Sequence, residues 1–411
     1  GVLGLPLHHY AENRPDVNQG RTFYDLNAFV LCALGVATVA TLLAVRRRRP
    51  WDAAMFALSP ALFVTATVNW DLLAIGLAAF GWLAWARRKP VLAGVLLSLG
   101  VSAKLYPLLF FGPLLLLAAR SGRWRAALTA AGAAVVTWVA VNLPVALLWQ
   151  ESWSTFFKFN SERGIDWGTL WYIGEHFPVG NGKYGIQWFS DLNTDPTHHG
   201  LNMLYLALFL ICCAAIAALT FLAPRRPRFG ALAFLVVAAF LLTGKVWSQQ
   251  YVLWLLPLAV LARPRWGAFL AWQFAELAYF VCFYGELMGA SGKSVFPEWV
   301  FVLAAVLRWV TVAVLSGYIV RDMLYPARDA VRSTYEDDPD GGDFDGAPDA
   351  GFAIRLRGYF FGPDLGAEAL ASQQAEDIEE SEKSEDAEDA GGAVDQDASG
   401  GDVPELITGR G

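Results

Sequence analysis

Apolar windows of roughly 14–22 residues recur from Tyr24 to Val320, and every second turn between them is rich in arginine. The basic turns are Arg46-Arg47-Arg48-Arg49, Arg87-Arg88-Lys89, Arg120 with Arg123 and Arg125, Arg225 with Arg226 and Arg228, Arg263 with Arg265, and Arg321. The turns between them are nearly free of arginine. Such a chain, 55% apolar over 411 residues, cannot be a soluble globule; the pattern is that of a polytopic helical membrane protein. By the positive-inside rule the arginine-rich turns are cytoplasmic.

The windows predict an all-α polytopic membrane protein with eleven transmembrane segments, at about 25–45, 52–67, 69–86, 90–103, 106–119, 125–149, 201–223, 229–243, 250–262, 266–286 and 299–320. This places residues 1–24 outside as a partial extracytoplasmic loop, residues 25–325 in the membrane and the C-terminus in the cytoplasm. The chain opens on Gly1, and its first stretch has neither a basic start nor a cleavage pattern. It reads as the middle of a loop, so a further helix upstream, making twelve, is expected.

The formal charge of −7 averages two different regions. Residues 1–325 carry 25 basic against 15 acidic side chains, and residues 326–411 carry 6 against 23. The acidic tail is poor in aromatics and is expected to be disordered. Its charge excludes electrostatic binding to anionic lipid or nucleic acid, and leaves cytoplasmic proteins as its partners. Cys32, Cys212, Cys213 and Cys282 all lie in apolar segments with no disulfide or metal spacing. No phosphate-binding loop, dinucleotide fingerprint, Ser-His-Asp signature or zinc motif is present, so no cofactor or metal is expected.

Several spans are short. A 14-residue helix over 90–103 is ~21 Å long, against a hydrocarbon core of ~30 Å. Three outward hairpin tips are therefore expected within the protein's own crevice at lipid-phosphate depth, where non-helical backbone is tolerated. They are Val68-Asn69-Trp70-Asp71, Ser102 to Pro107, and Gly244 to Tyr251. Two of them carry a lysine, Lys104 and Lys245. An ammonium at that depth suits a lipid phosphate; snorkelling to the headgroups for topology alone is the competing reading. Asp71 needs a partner: one of these lysines as a structural counter-charge, or a sugar hydroxyl, a metal or a catalytic proton as a functional one.

The large outer loop, 150–200, mixes aromatics with polar side chains, as carbohydrate sites do. An amphipathic helix lying on the membrane over Trp149–Phe159 fits equally. Arg163 lies in this loop. Asp191, Asp195, His198 and His199 have no metal-ligand spacing and read as solvated loop. Glu276 and Arg308, each inside an apolar span, read as an interhelical ion pair.

The stretch "VNWDLLAIGLAAFGWLAWARRKPVLAGVLLSLGVSAKLYPLLFFGPLLLL" resembles the core of glycosyltransferase family 87, and "KVWSQQYVLWLLPL" resembles its later S-x-Q-Y-x-x-W-x-x-P stretch. The likeness covers about 25–320. It implies an integral membrane mannosyltransferase of the C-type superfold, using a polyprenyl-phosphate-linked sugar donor on the extracytoplasmic face of the cytoplasmic membrane. The acceptor would be a lipid or a cell-envelope glycan. Lys104 and Lys245 are then expected to bind donor phosphate, with Asn69, Asp71, Tyr106, Arg163, Gln249, Gln250 and Tyr251 lining the site. The resemblance also implies a carboxylate general base in the first outer loop. That loop follows the first helix, so the base is expected upstream of Gly1; Asp16, Asp25 and Asp71 are the remaining candidates. Two other classes stay open. A lipid-linked sugar flippase or transporter would break its helices near the midplane, whereas these tips fall on one face. A non-enzymatic scaffold would act through its acidic tail.

Overall fold

The computed structural model describes residues 8–10, 14, 18–180 and 183–361. The chain divides into two compact units, Gly1–Ala347 and Pro348–Gly411. Helices of the first unit are α1 (Gln19–Val45), α2 (Ala54–Ala57), α3 (Pro60–Thr65), α4 (Asp71–Ala86), α5 (Pro90–Ala103), α6 (Phe111–Ser121), α7 (Trp124–Leu148), α8 (Gln150–Glu162), α9 (Leu170–His176), α10 (Gln187–Thr194), α11 (His199–Leu222), α12 (Phe229–Thr243), α13 (Val252–Ala262), α14 (Trp266–Ala290) and α15 (Glu298–Leu324). One antiparallel ladder, β1 (Pro178–Gly180) with β2 (Lys183–Tyr184), sits in the large loop. The second unit carries α16 (Gly351–Phe361).

Local chemistry explains the helix ends. Asn18 caps α1 by accepting from the Arg21 amide at 3.0 Å. Pro90 stands at the start of α5, where its missing N–H is not needed. Gly122, at φ +72°, ends α6 in the left-handed conformation. The bounds of α5 and α12 fall where the apolar windows end. The window over 52–67 does not form one helix. It breaks into a 3₁₀ turn (Pro50–Ala53), α2 and α3. Pro60 cannot continue a helix and also bars the residue before it from helical geometry. Ser59 caps α3 instead, and its hydroxyl donates to Gln273 Oε1 on α14.

Five helices, α1, α7, α11, α14 and α15, are long and apolar enough to cross a membrane. The shorter apolar ones include α12 and α13, which form the centre. Every residue of α13 and nearly all of α12 are buried, as expected of helices apolar on all sides. The long α7 and α11 bury few residues and turn most of their apolar surface outward. Close approach of α5 to α7 depends on one glycine. A Cβ on Gly94 would stand 2.1 Å from the Ala130 carbonyl oxygen, so small residues set this contact. In the 150–200 loop, α8 covers the stretch expected to be helical and buries none of its residues.

The acidic region does not begin as a disordered tail at 326. Residues 326–347 belong to the first unit and strap the arginine-rich turns together. Asp340 pairs with Arg46 at 2.9 Å, both side chains fully buried. Asp329 pairs with Arg228 at 2.7 Å, Asp337 with Arg226 and with Arg332, and Asp338 accepts from the first amide of α12, Phe229 N, at 2.7 Å. Phe344 inserts between these groups beside Trp85, which donates to Gly341 O at 2.9 Å. Composition alone hid this, because the carboxylates that make the segment look solvated are used as counter-charges to buried guanidinium groups. The rest of the acidic run, 362–411, lies outside the described residues.

Removing one partner of a buried pair costs about 3–5 kcal/mol. A chain ending after Tyr325 is therefore expected to lose its folded state in detergent, and one ending after Ala347 to keep a near-native melting temperature. Thermal unfolding followed by size exclusion measures both; equal stability of the two truncations would remove the strap's structural role.

Candidate functional site

The turns that lack arginine gather at the other end of α12 and α13. Asp71 opens α4, where a carboxylate also faces the positive end of the helix. Its side chain is fully buried, with Oδ1 accepting from Trp254 Nε1 at 2.7 Å and lying 3.6 Å from Lys104 Nζ. Lys104 leaves α5 in an extended conformation, which turns the chain into the 3₁₀ segment Tyr106–Phe110. Tyr106 stacks on Trp254 with centroids 4.8 Å apart, and Tyr251 stacks on it at 3.9 Å. The hairpin tips at Asp71 and Lys104 thus meet α13 in one cluster, and Lys104 finds its partner in Asp71.

Lys245 follows a different pattern. Its Nζ donates to the backbone carbonyls of Ser161 and Arg163 on the 150–200 loop and lies 5.8 Å from the Tyr205 ring centroid. No carboxylate among the described residues stands within ion-pair distance of it. Burial, and then the charge of Arg163, push its pKa down to about 8. Arg163 pairs with Asp166 at 2.9 Å and remains partly exposed. Asp166 in turn ties the loop to the turn, its amide donating to Lys245 O at 2.9 Å. Burial raises the Asp166 carboxyl above its usual range, and Arg163 opposes that.

Tyr251 joins the two groups. It stacks on Trp254 and feels the charges of Asp71, Arg163 and Asp166 together. Two buried acceptors at this end, Asp71 Oδ2 and Gln250 Oε1, have no hydrogen-bond partner among the described residues. Gln249 is half-buried in the same turn. Asn69 is exposed and caps its own tip, accepting from the Trp70 amide at 2.7 Å. Asp25 is exposed on α1 beside Arg21 at 3.9 Å, and Asp16 lies outside the described residues. Asp191 and Asp195 accept hydrogen bonds from neighbours in their own loop, Gln187 and Thr197. Among the described residues, no group of three or more His, Cys, Asp or Glu is placed to hold a metal ion.

Sequence reasoning passed over Trp254 and Asp166. Trp254 was legible as the tryptophan of S-x-Q-Y-x-x-W, whereas Asp166 gave no signal, since only folding brings it to Arg163 and Lys245.

An open apolar groove of about 640 Å³ runs beside this end. Its walls include Val101 of α5, Leu105 and Leu108 of the Lys104 turn, Phe111, Trp138 of α7 and Phe157 of α8. A surface of that kind accepts a hydrocarbon chain.

The family model of glycosyltransferase family 87 matches residues 20–246. The chain belongs to glycosyltransferase family 87. No curated protein and no solved structure matches it. Family 87 membership, with the apolar helices, makes the chain a membrane glycosyltransferase. The match includes Asp71, Lys104, Arg163 and Lys245 and stops before Gln249, Gln250, Tyr251 and Trp254.

Lys104→Gln would leave the Asp71 carboxylate buried without its counter-charge, a loss of about 3–5 kcal/mol. Pairing that change with Asp71→Asn removes both charges and is expected to restore most of the stability. Melting temperatures of the two single variants and the double variant measure this; additive losses would show that the 3.6 Å pair contributes nothing.

Proposed function

We propose that this family 87 member transfers a sugar, mannose, from a polyprenyl-phosphate donor to a hydroxyl of a lipid or cell-envelope glycan on the extracytoplasmic face of the cytoplasmic membrane. The observation that carries this reading is the state of Lys245. An ammonium has three N–H donors; Lys245 uses two on backbone carbonyls, and no carboxylate neutralises it. Lys104 is compensated by Asp71 and Arg163 by Asp166, so the net positive charge at this end resides with Lys245. A phosphate is the complementary ligand.

The neighbouring surfaces agree with such a donor. The groove past Leu105 and Leu108 suits the polyprenyl chain, and the unpartnered Asp71 Oδ2 and Gln250 Oε1 suit sugar hydroxyls. Tyr106, Tyr251 and Asn69 complete the lining, with Lys104 closing the side nearest the groove. The arginine-rich turns at the other end support an outer position for this one, by the positive-inside rule.

Chemically, the donor is a phosphate diester with one negative charge. As the bond from the sugar's anomeric carbon to the phosphate oxygen breaks, the leaving polyprenyl phosphate gains a second. The acceptor oxygen forms the new bond to that carbon and gives its proton to a base. Lys245 and Arg163 stand where the new charge develops, so their attraction grows toward the transition state.

A charge-assisted hydrogen bond is worth roughly 1.5–3 kcal/mol. Lys245→Gln should therefore lose about 10- to 150-fold in kcat/KM for polyprenyl-phosphate-mannose while the fold survives. In the unsubstituted protein kcat/KM should fall as pH rises through about 8, because the free lysine loses its proton while the diester keeps its charge. Steady-state transfer assays across pH measure both. Unchanged kcat/KM in a folded Lys245→Gln protein would exclude Lys245 as the phosphate ligand.

A further inference from the structure

The Lys245 turn is an extended loop at the end of a short helix, tied to the large loop by the Asp166 amide. Further support comes from α14 and α15, beyond the residues that match the family. Arg308 of α15 is fully buried. Its Nη1 donates to Trp247 O at 3.0 Å and its Nη2 to Ser248 O at 3.1 Å. Nε bonds Glu276 Oε2 of α14 at 2.9 Å, and Trp272 Nε1 donates to the other Glu276 oxygen at 2.9 Å. The guanidinium carbon lies 4.2 Å from the ring centroids of both Trp247 and Tyr279. From the loop side, Tyr279 donates to Trp167 O at 3.2 Å.

We infer that Arg308 is a positioning residue for the donor phosphate: it fixes the Trp247–Ser248 backbone and so sets where Lys245 and Tyr251 stand. The geometry goes beyond what an ion pair between two helices requires. Glu276 engages only Nε, while both terminal nitrogens reach past it to two successive carbonyls of the turn. The Ser248 carbonyl also accepts from the Tyr251 amide at 3.1 Å, the bond that opens the 3₁₀ turn at Gln249, so the fork grips the turn where its backbone passes from irregular to helical. A planar fork holds both carbonyls and Glu276 together in a fixed geometry, which a flexible ammonium does not reproduce. Tyr279 extends the same device to the outer loop through Trp167, two residues before Thr169, whose hydroxyl caps α9. The loop residues that accept from Lys245 are thus braced by the same cluster that braces the turn.

This inference rests on Lys245 being the phosphate ligand, and the test separates the two. The full chain in nanodiscs is assayed for transfer from polyprenyl-phosphate-mannose, with melting temperature measured in parallel. Arg308→Lys keeps a charge for Glu276 and loses the fork. The double variant Arg308→Met with Glu276→Gln removes both buried charges and leaves neither orphaned. Each is expected to melt near the parent while the donor KM rises between about 10- and 100-fold and kcat falls with it, since the attraction of Lys245 grows toward the transition state. A variant that folds and keeps the parental donor KM overturns the inference. If neither variant folds, Arg308 is a folding residue and the inference is equally overturned. Lys245→Gln in the same preparation makes the distinction: a raised KM there beside parental values in the Arg308 variants defeats the positioning role alone. An unaltered KM in Lys245→Gln defeats the phosphate reading beneath it.

Discussion

A helix of 15 residues spans ~22 Å, short of a ~30 Å hydrocarbon core, and α12 has that length and is apolar on nearly every face. With α13, still shorter, it has to be surrounded by protein rather than lipid, and both ends fall inside the molecule. Everything polar that follows from those ends must then be satisfied by other parts of the chain. The long helices α7 and α11, mostly exposed, supply the lipid-facing surface. The short pair supplies two recessed ends.

Those ends are handled in opposite ways. At the start of α12 the chain places arginines and brings carboxylates from a hundred residues away to neutralise them: Asp329 on Arg228, Asp340 on Arg46, and Asp338 on the Phe229 amide. That end is electrically closed. At the finish of α12 the chain places Lys245, which holds backbone carbonyls and no carboxylate. A buried cation left in that state is costly to fold around, which is why it reads as a site rather than as a strut. Lys104, a lysine at the same end and similar in sequence setting, is closed off by Asp71.

Helix positions were largely legible in the sequence, because apolar length and proline or arginine punctuation are local signals. The bounds of α5 and α12 are written in Pro90, Gly244 and the basic turns. The break at Ser59-Pro60 was legible too, had the proline been weighed above the apolar run. Pairing was not legible. Composition cannot say that Asp340 is a counter-charge to Arg46 rather than part of a solvated tail, nor which of two lysines keeps its charge free. Both depend on contacts between residues far apart in the chain: Arg46 with Asp340 of the strap, Lys104 with Asp71, and Lys245 with the Ser161 and Arg163 carbonyls. The Glu276–Arg308 pair was expected, but its reach to the Trp247 and Ser248 carbonyls required the folded turn.

The central claim is that the uncompensated cation at Lys245, and not the neutralised one at Lys104, receives the donor's phosphate. A cryo-EM structure of the full chain in nanodiscs with a polyprenyl phosphate tests it most directly. The account predicts phosphate density within hydrogen-bond distance of Lys245 Nζ and close to the Arg163 guanidinium, with Asp71 and Lys104 still paired and the hydrocarbon chain leaving past Leu105 and Leu108. Phosphate density on Lys104 with the Asp71 pair broken, or a lipid phosphate bound only among the arginine-rich turns, would contradict it.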